Sequence, residues 1–319
     1  MIATITLNPA IDIRYNLPDF HIDDVNRVTA VDKTAGGKGL NVSRVLSQLG
    51  VKVTCTGFLG GKSGEWIAAQ LQNYNLINRF VEIKGETRFC LAIESKEGHT
   101  EILEQGPEIL ENEREEFLKN FDTILESNNY IVGSGSLPYG INSDFYRDLI
   151  EKTKQKGKYF LLDSSGESLS HGIKGKPFLI KPNREEFCKL IGLNQLSIED
   201  MIWHAREICQ KGIQYILLSL GKEGALLISK NITLQAVIPT LTDVHQIGSG
   251  DSMLAGFTFA HSKGYSIENI LKWSCACGIS NAASERTGSV ELTKVQHYFN
   301  LIKVKELTGG DEDGKYSLF

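Results

Sequence analysis

The chain reads as an α/β protein, with a mostly parallel central sheet, helices on both of its faces, and a small second β-sheet set apart. Three observations predict this. Strand-like segments alternate with helical patterns of about 10–15 residues along most of the 319 residues, the signature of βαβ units. The stretches 10–33 and 86–104 instead alternate apolar and polar residues with period two, which fits a half-exposed accessory sheet. Hydrophobic residues are 41% and charged residues 23%, an ordinary globular balance. A chain of this length buries about three quarters of its unfolded surface without needing disulfides or a structural metal.

The elements follow in order. Residues 2–7 are small, β-branched and apolar, and Asn8-Pro9 stops them, so they form a buried first strand. Residues 11–15 alternate with period two, and 24–32 is a further exposed strand. Gly36-Gly37-Lys38-Gly39 opens a helix in which Leu40, Val42, Val45, Leu46 and Leu49 have helical spacing and Gly50 closes. A strand over 51–57 and a helix over 65–74 come next. Residues 86–94 and 100–103 form a hairpin turned at Glu97-Gly98. Beyond it lie helix 111–127, strand 130–133, helix 144–155, strands 159–163 and 177–181, and helices 184–191 and 198–211. Strand 215–219, hairpin 224–237 and helices 251–263, 267–284 and 293–304 complete the fold. The glycine- and acid-rich tail at 309–314 is expected to be loose.

Charge and cysteine usage exclude several classes. The net charge is −5 with no basic stripe, which argues against nucleic-acid binding. The run Glu111-Asn112-Glu113-Arg114-Glu115-Glu116 reads as a solvated first helical turn. The closest pair among the 6 cysteines is Cys275-x-Cys277, so zinc and redox motifs are unsupported. Buried thiols in a reducing compartment are expected instead. The 7 histidines show no ligand spacing. The N-terminus has no basic region or cleavage site, and no apolar run approaches the roughly 20 residues that span a bilayer. A cytoplasmic protein without membrane or nucleic-acid partners is expected.

Gly57-Phe58-Leu59-Gly60-Gly61-Lys62-Ser63 superficially matches a P-loop, but Gly57 stands one residue too close to the Gly-Lys pair. It reads as a strand-to-helix turn. The sharpest signal is Gly248-Ser249-Gly250-Asp251-Ser252 ahead of an apolar helix. Glycines admit close backbone approach, and a helix N-terminus offers unpaired N–H groups and a positive dipole end. Asp251 in that turn is either a proton acceptor for phosphate transfer or a helix cap. Gly36-Gly37-Lys38-Gly39 with Asn41 is a second cradle, for an anion or a polyhydroxy ligand, or else a plain turn. Gly133-Ser134-Gly135-Ser136-Leu137-Pro138 ends a buried strand, where ligands gather in open α/β sheets. In Lys181-Pro182-Asn183-Arg184-Glu185-Glu186, Asn183 and Glu186 either face a divalent cation through water or close a capping box. Ser219-Leu220-Gly221-Lys222-Glu223-Gly224 either runs beside a nucleotide phosphate or is a hairpin turn.

The order Asn8-Pro9-Ala10-Ile11-Asp12, Gly36-Gly37-Lys38-Gly39-Leu40-Asn41, Gly135-Ser136-Leu137-Pro138, Lys181-Pro182-Asn183, Ser219-Leu220-Gly221 and Gly248-Ser249-Gly250-Asp251-Ser252 resembles the PfkB, or ribokinase-like, carbohydrate kinase family over roughly residues 1–305. Ile83-Lys84-Gly85-Glu86-Thr87-Arg88 and the segment 100–109 resemble its tagatose-6-phosphate kinase and 1-phosphofructokinase branch. The resemblance implies a ribokinase-like fold with 1–9, 34–84 and 106–319 as the core and 10–33 and 85–105 as a β-sheet lid. It implies Asp251 as catalytic base, with the N–H groups of Gly248 and Gly250 as anion hole. Asp12, Gly37, Asn41 and Ser136 would hold sugar hydroxyls, and Arg88, Lys38 and Arg27 the substrate's own phosphate. Lys181, Asn183, Ser219, Gly221, Gly224, Ser249 and Asn281 would line ATP, and Glu186 would hold Mg2+ through water. His245-Gln246-Ile247 stands where the family often has Asn-x-Val or Asp-x-Thr, so a requirement for a monovalent cation such as K+ does not follow. The reading implied is ATP-dependent phosphorylation of tagatose 6-phosphate to the 1,6-bisphosphate. The alternatives are fructose 1-phosphate as substrate and, more remotely, a non-catalytic sugar-phosphate sensor. A homodimer through the lid is also implied, with Arg27 acting on the partner's site.

Overall fold

The computed structural model describes residues 1–96, 98–241 and 247–307. Strands are numbered in chain order. The central sheet runs β15 (Lys303–Glu306), β14 (Thr233–Val237), β13 (Ala225–Ile228), β12 (Tyr215–Ser219), β11 (Leu179–Ile180), β10 (Tyr159–Asp163), β9 (Tyr130–Ser134), β1 (Ile2–Thr6), β4 (Val53–Gly60) and β5 (Leu76–Asn78), with β6 (Val81–Ile83) also paired to β4. Pairing is parallel from β12 to β5 and antiparallel from β12 outward to β15.

Helices cover both faces, as the near-continuous apolar strands require. Leu161 and Leu217 point into one core, with α1 (Lys38–Gln48), α2 (Gly61–Leu71), α8 (Ser249–Ser262), α9 (Ile267–Ala282) and α10 (Leu292–Leu301). Their neighbours Phe160, Leu162, Ile216 and Leu218 point into the other, with α3 (Glu111–Ser127), α4 (Phe145–Gln155), α5 (Gly166–Gly172), α6 (Arg184–Ile191) and α7 (Ile198–Gln210). Helix α8 is buried from Asp251 to Ala260, consistent with a sequence apolar on all sides. The fold is the α/β class expected.

A separate sheet has the order β3 (Ala30–Gly36), β2 (Ala10–Asn16), β7 (Arg88–Ser95), β8 (Gly98–Leu103). Its register puts Asp12 beside Thr34 and Cys90, and Arg14 beside Asp32 and Ala92. The other face carries Ile13, Tyr15, Val31, Leu91 and Ile93.

Several expected boundaries move. The strand expected at 24–32 lies at Ala30–Gly36, where it can pair with β2 along its length, and it runs past the lid boundary expected at 33. Helix α2 starts at Gly61 rather than 65, because the Glu86 carboxylate accepts from the N–H of Lys62 and Ser63 and caps it from outside the helix. The last helix ends at Leu301, and Lys303–Glu306 leaves it to pair with β14. Non-local pairing decides that segment over local propensity. The short elements α5, β5 and β6 carried no sequence signal. Glu97 of the expected hairpin turn, His245-Gln246 and the tail 309–314 lie outside the described residues. All cysteines are free and all but Cys90 are buried. Among the described residues no helix is long and apolar enough to cross a membrane.

Candidate active site

The parallel strands end along one rim, and an open cleft of about 1010 Å³ lies there between the rim and the small sheet. Thr6, Ser134, Lys181 and Ser219 reach it from or just beyond the ends of β1, β9, β11 and β12, as the crevice rule for open sheets requires. Every residue nominated from the sequence lines this cleft except Arg27, which is exposed on the loop between β2 and β3.

The two glycine turns meet inside it. Gly248 adopts φ 78° and precedes α8, whose first N–H groups receive no side-chain cap among the described residues. Asp251 is therefore not the cap. It is 5% exposed, and its Oδ2 accepts from Asn41 Nδ2 at 2.7 Å, across from the other turn. Gly39 lets α1 start directly over β1, since a Cβ there would lie 2.5 Å from the Ile5 carbonyl oxygen. Burial, with Asp163 nearby, pushes the Asp251 carboxyl up to about 6, against the pull of Lys38, Asn41 and Lys181. Such a group is ionised at neutral pH yet basic enough to accept a proton.

An ionic cluster sits beside this pair. Asp163, at the end of β10, is completely buried between Lys38 and Lys181, each 3.2 Å away. Burial opposes its ionisation, but the Lys181 and Lys38 charges together hold its carboxyl below the usual range. Asp163 in turn raises the Lys38 ammonium. The Lys181 ammonium lies against the α8 turn, 2.9 Å from where a Cβ on Gly250 would stand. Asn183 and Glu186 do close a capping box, at 2.8 and 2.9 Å. Glu186 uses Oε2 for it and turns Oε1 toward Lys38 at 3.8 Å. Among the described residues no three His, Cys, Asp or Glu side chains cluster to hold a metal by themselves.

At the small-sheet end, burial raises Asp12 to about 6 against the Arg44 and Arg88 charges and an N–H from Gly37. Arg88 donates to the carbonyls of Glu104 (2.6 Å) and Asn8 (3.1 Å). Asn8 Nδ2 donates to the Gln105 carbonyl at 3.0 Å and to Ser136 at 3.4 Å. These bonds draw segments 8, 88, 104–105 and 136 around one corner of the cleft.

At the opposite end, the peptide N–H of Ser219 donates to the Pro182 carbonyl. Gly221 has φ 60° with open space where a Cβ would go. Gly224 has another reason to be glycine, because a Cβ there would stand 2.0 Å from the Ala236 carbonyl oxygen of β14. Asn281, expected beside the nucleotide, is 1% exposed and spends its amide on the protein. It donates to the Ile247 carbonyl (2.8 Å) and to Ser249 (3.4 Å) and accepts from the Gly288 N–H (2.7 Å), supporting the Gly248 turn from behind.

Sequence reasoning missed Asp163 and Arg44. Asp163 had a readable signal, a lone acid ending an apolar strand at the rim. Arg44 had none, since arginine at a core position of a helix is read as surface.

A profile of the pfkB family carbohydrate kinase matches residues 4–293. Among solved structures, a candidate phosphofructokinase from Staphylococcus aureus is 34% identical, with 97% of this chain and 100% of that chain covered and a TM-score of 0.82. Phosphofructokinase-2 from Escherichia coli, solved in complex with potassium, is 28% identical, with 94% and 98% covered and a TM-score of 0.87. A possible 1-phosphofructokinase from Thermotoga maritima shares the fold, with a TM-score of 0.88 at 23% identity over 96% and 99% of the two chains.

Proposed function

The chain belongs to the pfkB family of carbohydrate kinases, and on that premise we propose that it transfers the γ-phosphoryl group of ATP to the C1 hydroxyl of tagatose 6-phosphate. The observation that carries this is the Asn41–Asp251 bond of 2.7 Å, which joins the two glycine turns in one cleft. Arg88 and Lys38 add cations at the sugar end, as a substrate that already bears a phosphate needs. The choice of tagatose 6-phosphate rests on segments 83–88 and 100–109, which meet at that corner through the Arg88–Glu104 bond.

Asp251 accepts the hydroxyl proton as the sugar oxygen attacks the γ-phosphorus. The bond from phosphorus to the bridging oxygen breaks, and ADP leaves with that electron pair. The N–H groups at Gly248 and Gly250, with Lys181, hold the charge on the transferring group. Asp12, the Gly37 N–H, Asn41 and Ser136 orient the sugar hydroxyls. Ser219, Gly221, Gly224, Asn183 and Ser249 border the nucleotide. Asp163 keeps Lys38 charged and, 3.2 Å from each ammonium, holds Lys38 and Lys181 in place. Glu186, which lines the cleft and keeps Oε1 out of its capping bond, fits an outer carboxylate for a magnesium ion held mostly by phosphates and water. When bound, that ion supplies neutralisation of phosphate charge.

The test is a coupled ADP-release assay with ATP and a panel of phosphorylated ketohexoses, run with K+ and again with Na+. Tagatose 6-phosphate should give the highest kcat/KM. A clear preference for fructose 1-phosphate or fructose 6-phosphate would replace the substrate and leave the kinase standing. Binding without ADP release on any sugar would make the protein a sensor.

A further inference from the structure

We propose that Arg44 is a positioning residue that locks Asn41 as a donor to Asp251 and ties the lid strand, the sugar-binding helix and the Gly248 turn together. The proposal rests on the kinase reading above. Arg44 lies within α1 and is only 4% exposed. A buried arginine is costly unless its donors are satisfied, and a leucine would pack there more cheaply. None of the ion pairs among the described residues includes it. Its guanidinium instead donates to the Ala35 carbonyl of β3, to Asn41 Oδ1 and, at 3.0 Å, to the Thr287 carbonyl. Each partner belongs to a different segment beside the cleft: β3, α1 and the loop after α9.

The Asn41 contact carries the chemistry. A guanidinium only donates, so it turns the amide oxygen toward itself and leaves Nδ2 for Asp251. The reverse orientation would set N–H against guanidinium and oxygen against carboxylate. The Thr287 contact backs the catalytic turn, because a Cβ on Gly248 would stand 2.6 Å from Thr287 Cγ2. The Ala35 contact fixes the end of β3, where the small sheet joins α1. A planar fork of donors reaches all three at once, and a lysine ammonium does not. The charges facing Arg44 are Asp12 and Asp251, with Tyr74 and Cys55 also near, while Asp251 also faces Asp163, Lys38 and Lys181.

Arg44→Lys keeps the charge and loses the fork. Its kcat should fall at least about 10-fold while KM for ATP stays within about 3-fold, and the acid limb of the kcat–pH profile should move upward by about half a unit or more. In a cycle with Asn41→Ala, the double variant should lose no more than the worse single variant. Multiplicative losses, or a lowered Tm with an unmoved pH profile, would make Arg44 merely structural and overturn the proposal. Should Arg44→Lys fail to fold, arginine-labelled wild-type protein replaces it. The buried guanidinium resonance should shift as pH crosses the titrations of Asp12 and Asp251 near 6, and part of that shift should vanish in Asp251→Asn; a shift unchanged by Asp251→Asn overturns the proposal. The NMR arm reads this coupling without turnover, so a protein inactive on every sugar phosphate would fail the kinase reading separately.

Discussion

At the residue scale, two buried carboxyls of the cleft are held at a thermodynamic cost. Asp12 and Asp251 are both raised to about 6 by burial, from an ordinary carboxyl value of 3.8. Between those pH values the folded protein holds protons that the unfolded chain has lost. Their contribution to stability is therefore full at low pH and is lost as pH rises through about 6. Under the proposed mechanism activity should run the other way, since Asp251 would have to be ionised to accept a proton. Asp251→Asn should lower kcat at least about 100-fold. It should also raise Tm at pH 8 by about 2–5 °C, with the gain shrinking toward pH 5. Calorimetry of the two proteins from pH 5 to 8 checks this, and a Tm difference independent of pH would show that burial of the charge is not what matters. Arg88→Ala should raise KM for the phosphosugar far more than KM for ATP. Equal rises in steady-state kinetics would move Arg88 out of the sugar end.

At the element scale, what separates a site from a look-alike is what already occupies the helix N-terminus. The α2 terminus, with the P-loop-like sequence, is filled by the Glu86 carboxylate, and Lys62 turns outward to Glu65 at 2.8 Å. Lys62→Ala should accordingly leave KM for ATP unchanged, and loss of ATP binding in a titration would reverse that assignment. The α8 terminus faces the cleft, and no side chain among the described residues caps it. Gly248→Ala should cost about 1–2 kcal/mol through its positive φ and further through the clash with Thr287, with kcat falling as well. Gly221→Ala, with a similar φ but open space, should cost only the first part in a denaturant melt. The glycine turns were legible in the sequence because a turn is local: spacing, helix start and anion cradle sit within a few residues. Lys303–Glu306 was not legible, because only β14 makes it a strand. Arg44 was not, because it gains its meaning from partners far along the chain, and of Asp163 only the place at a strand end was readable, not its two lysine partners. Asn281 was legible as part of the site, but not as support for the turn rather than a surface for the nucleotide.

At the scale of the whole molecule, the small sheet is amphipathic in a way one chain leaves unfinished. Asp12, Arg14, Asp32, Thr34 and Cys90 face the cleft. The opposite face, beginning over α2 with Ile11 and Ile13, ends in Val31 at 49% and Ile102 at 51% exposed. On the adjoining loop Ile22 is 83% and Val25 72% exposed. Apolar side chains grouped on one sheet and its loop are what a second copy of the chain would cover. Arg27 lies on that same loop, outside its own cleft. If the sheets of two copies pack face to face, the expectation that Arg27 acts at the partner's sugar end becomes testable. The protein should then be a dimer by light scattering, and Ile102→Glu should give monomers with raised KM for the phosphosugar. Mixing separates action across the interface from action within one chain. Arg27→Ala and Asp251→Asn should each be impaired alone. Re-associated in equal amounts, half the dimers are mixed, and each mixed dimer has one site with Asp251 and a partner arginine both intact. Activity should then recover to about a quarter of wild type. No recovery, from a mixture shown to exchange subunits, would confine Arg27 to its own chain or remove it from the site.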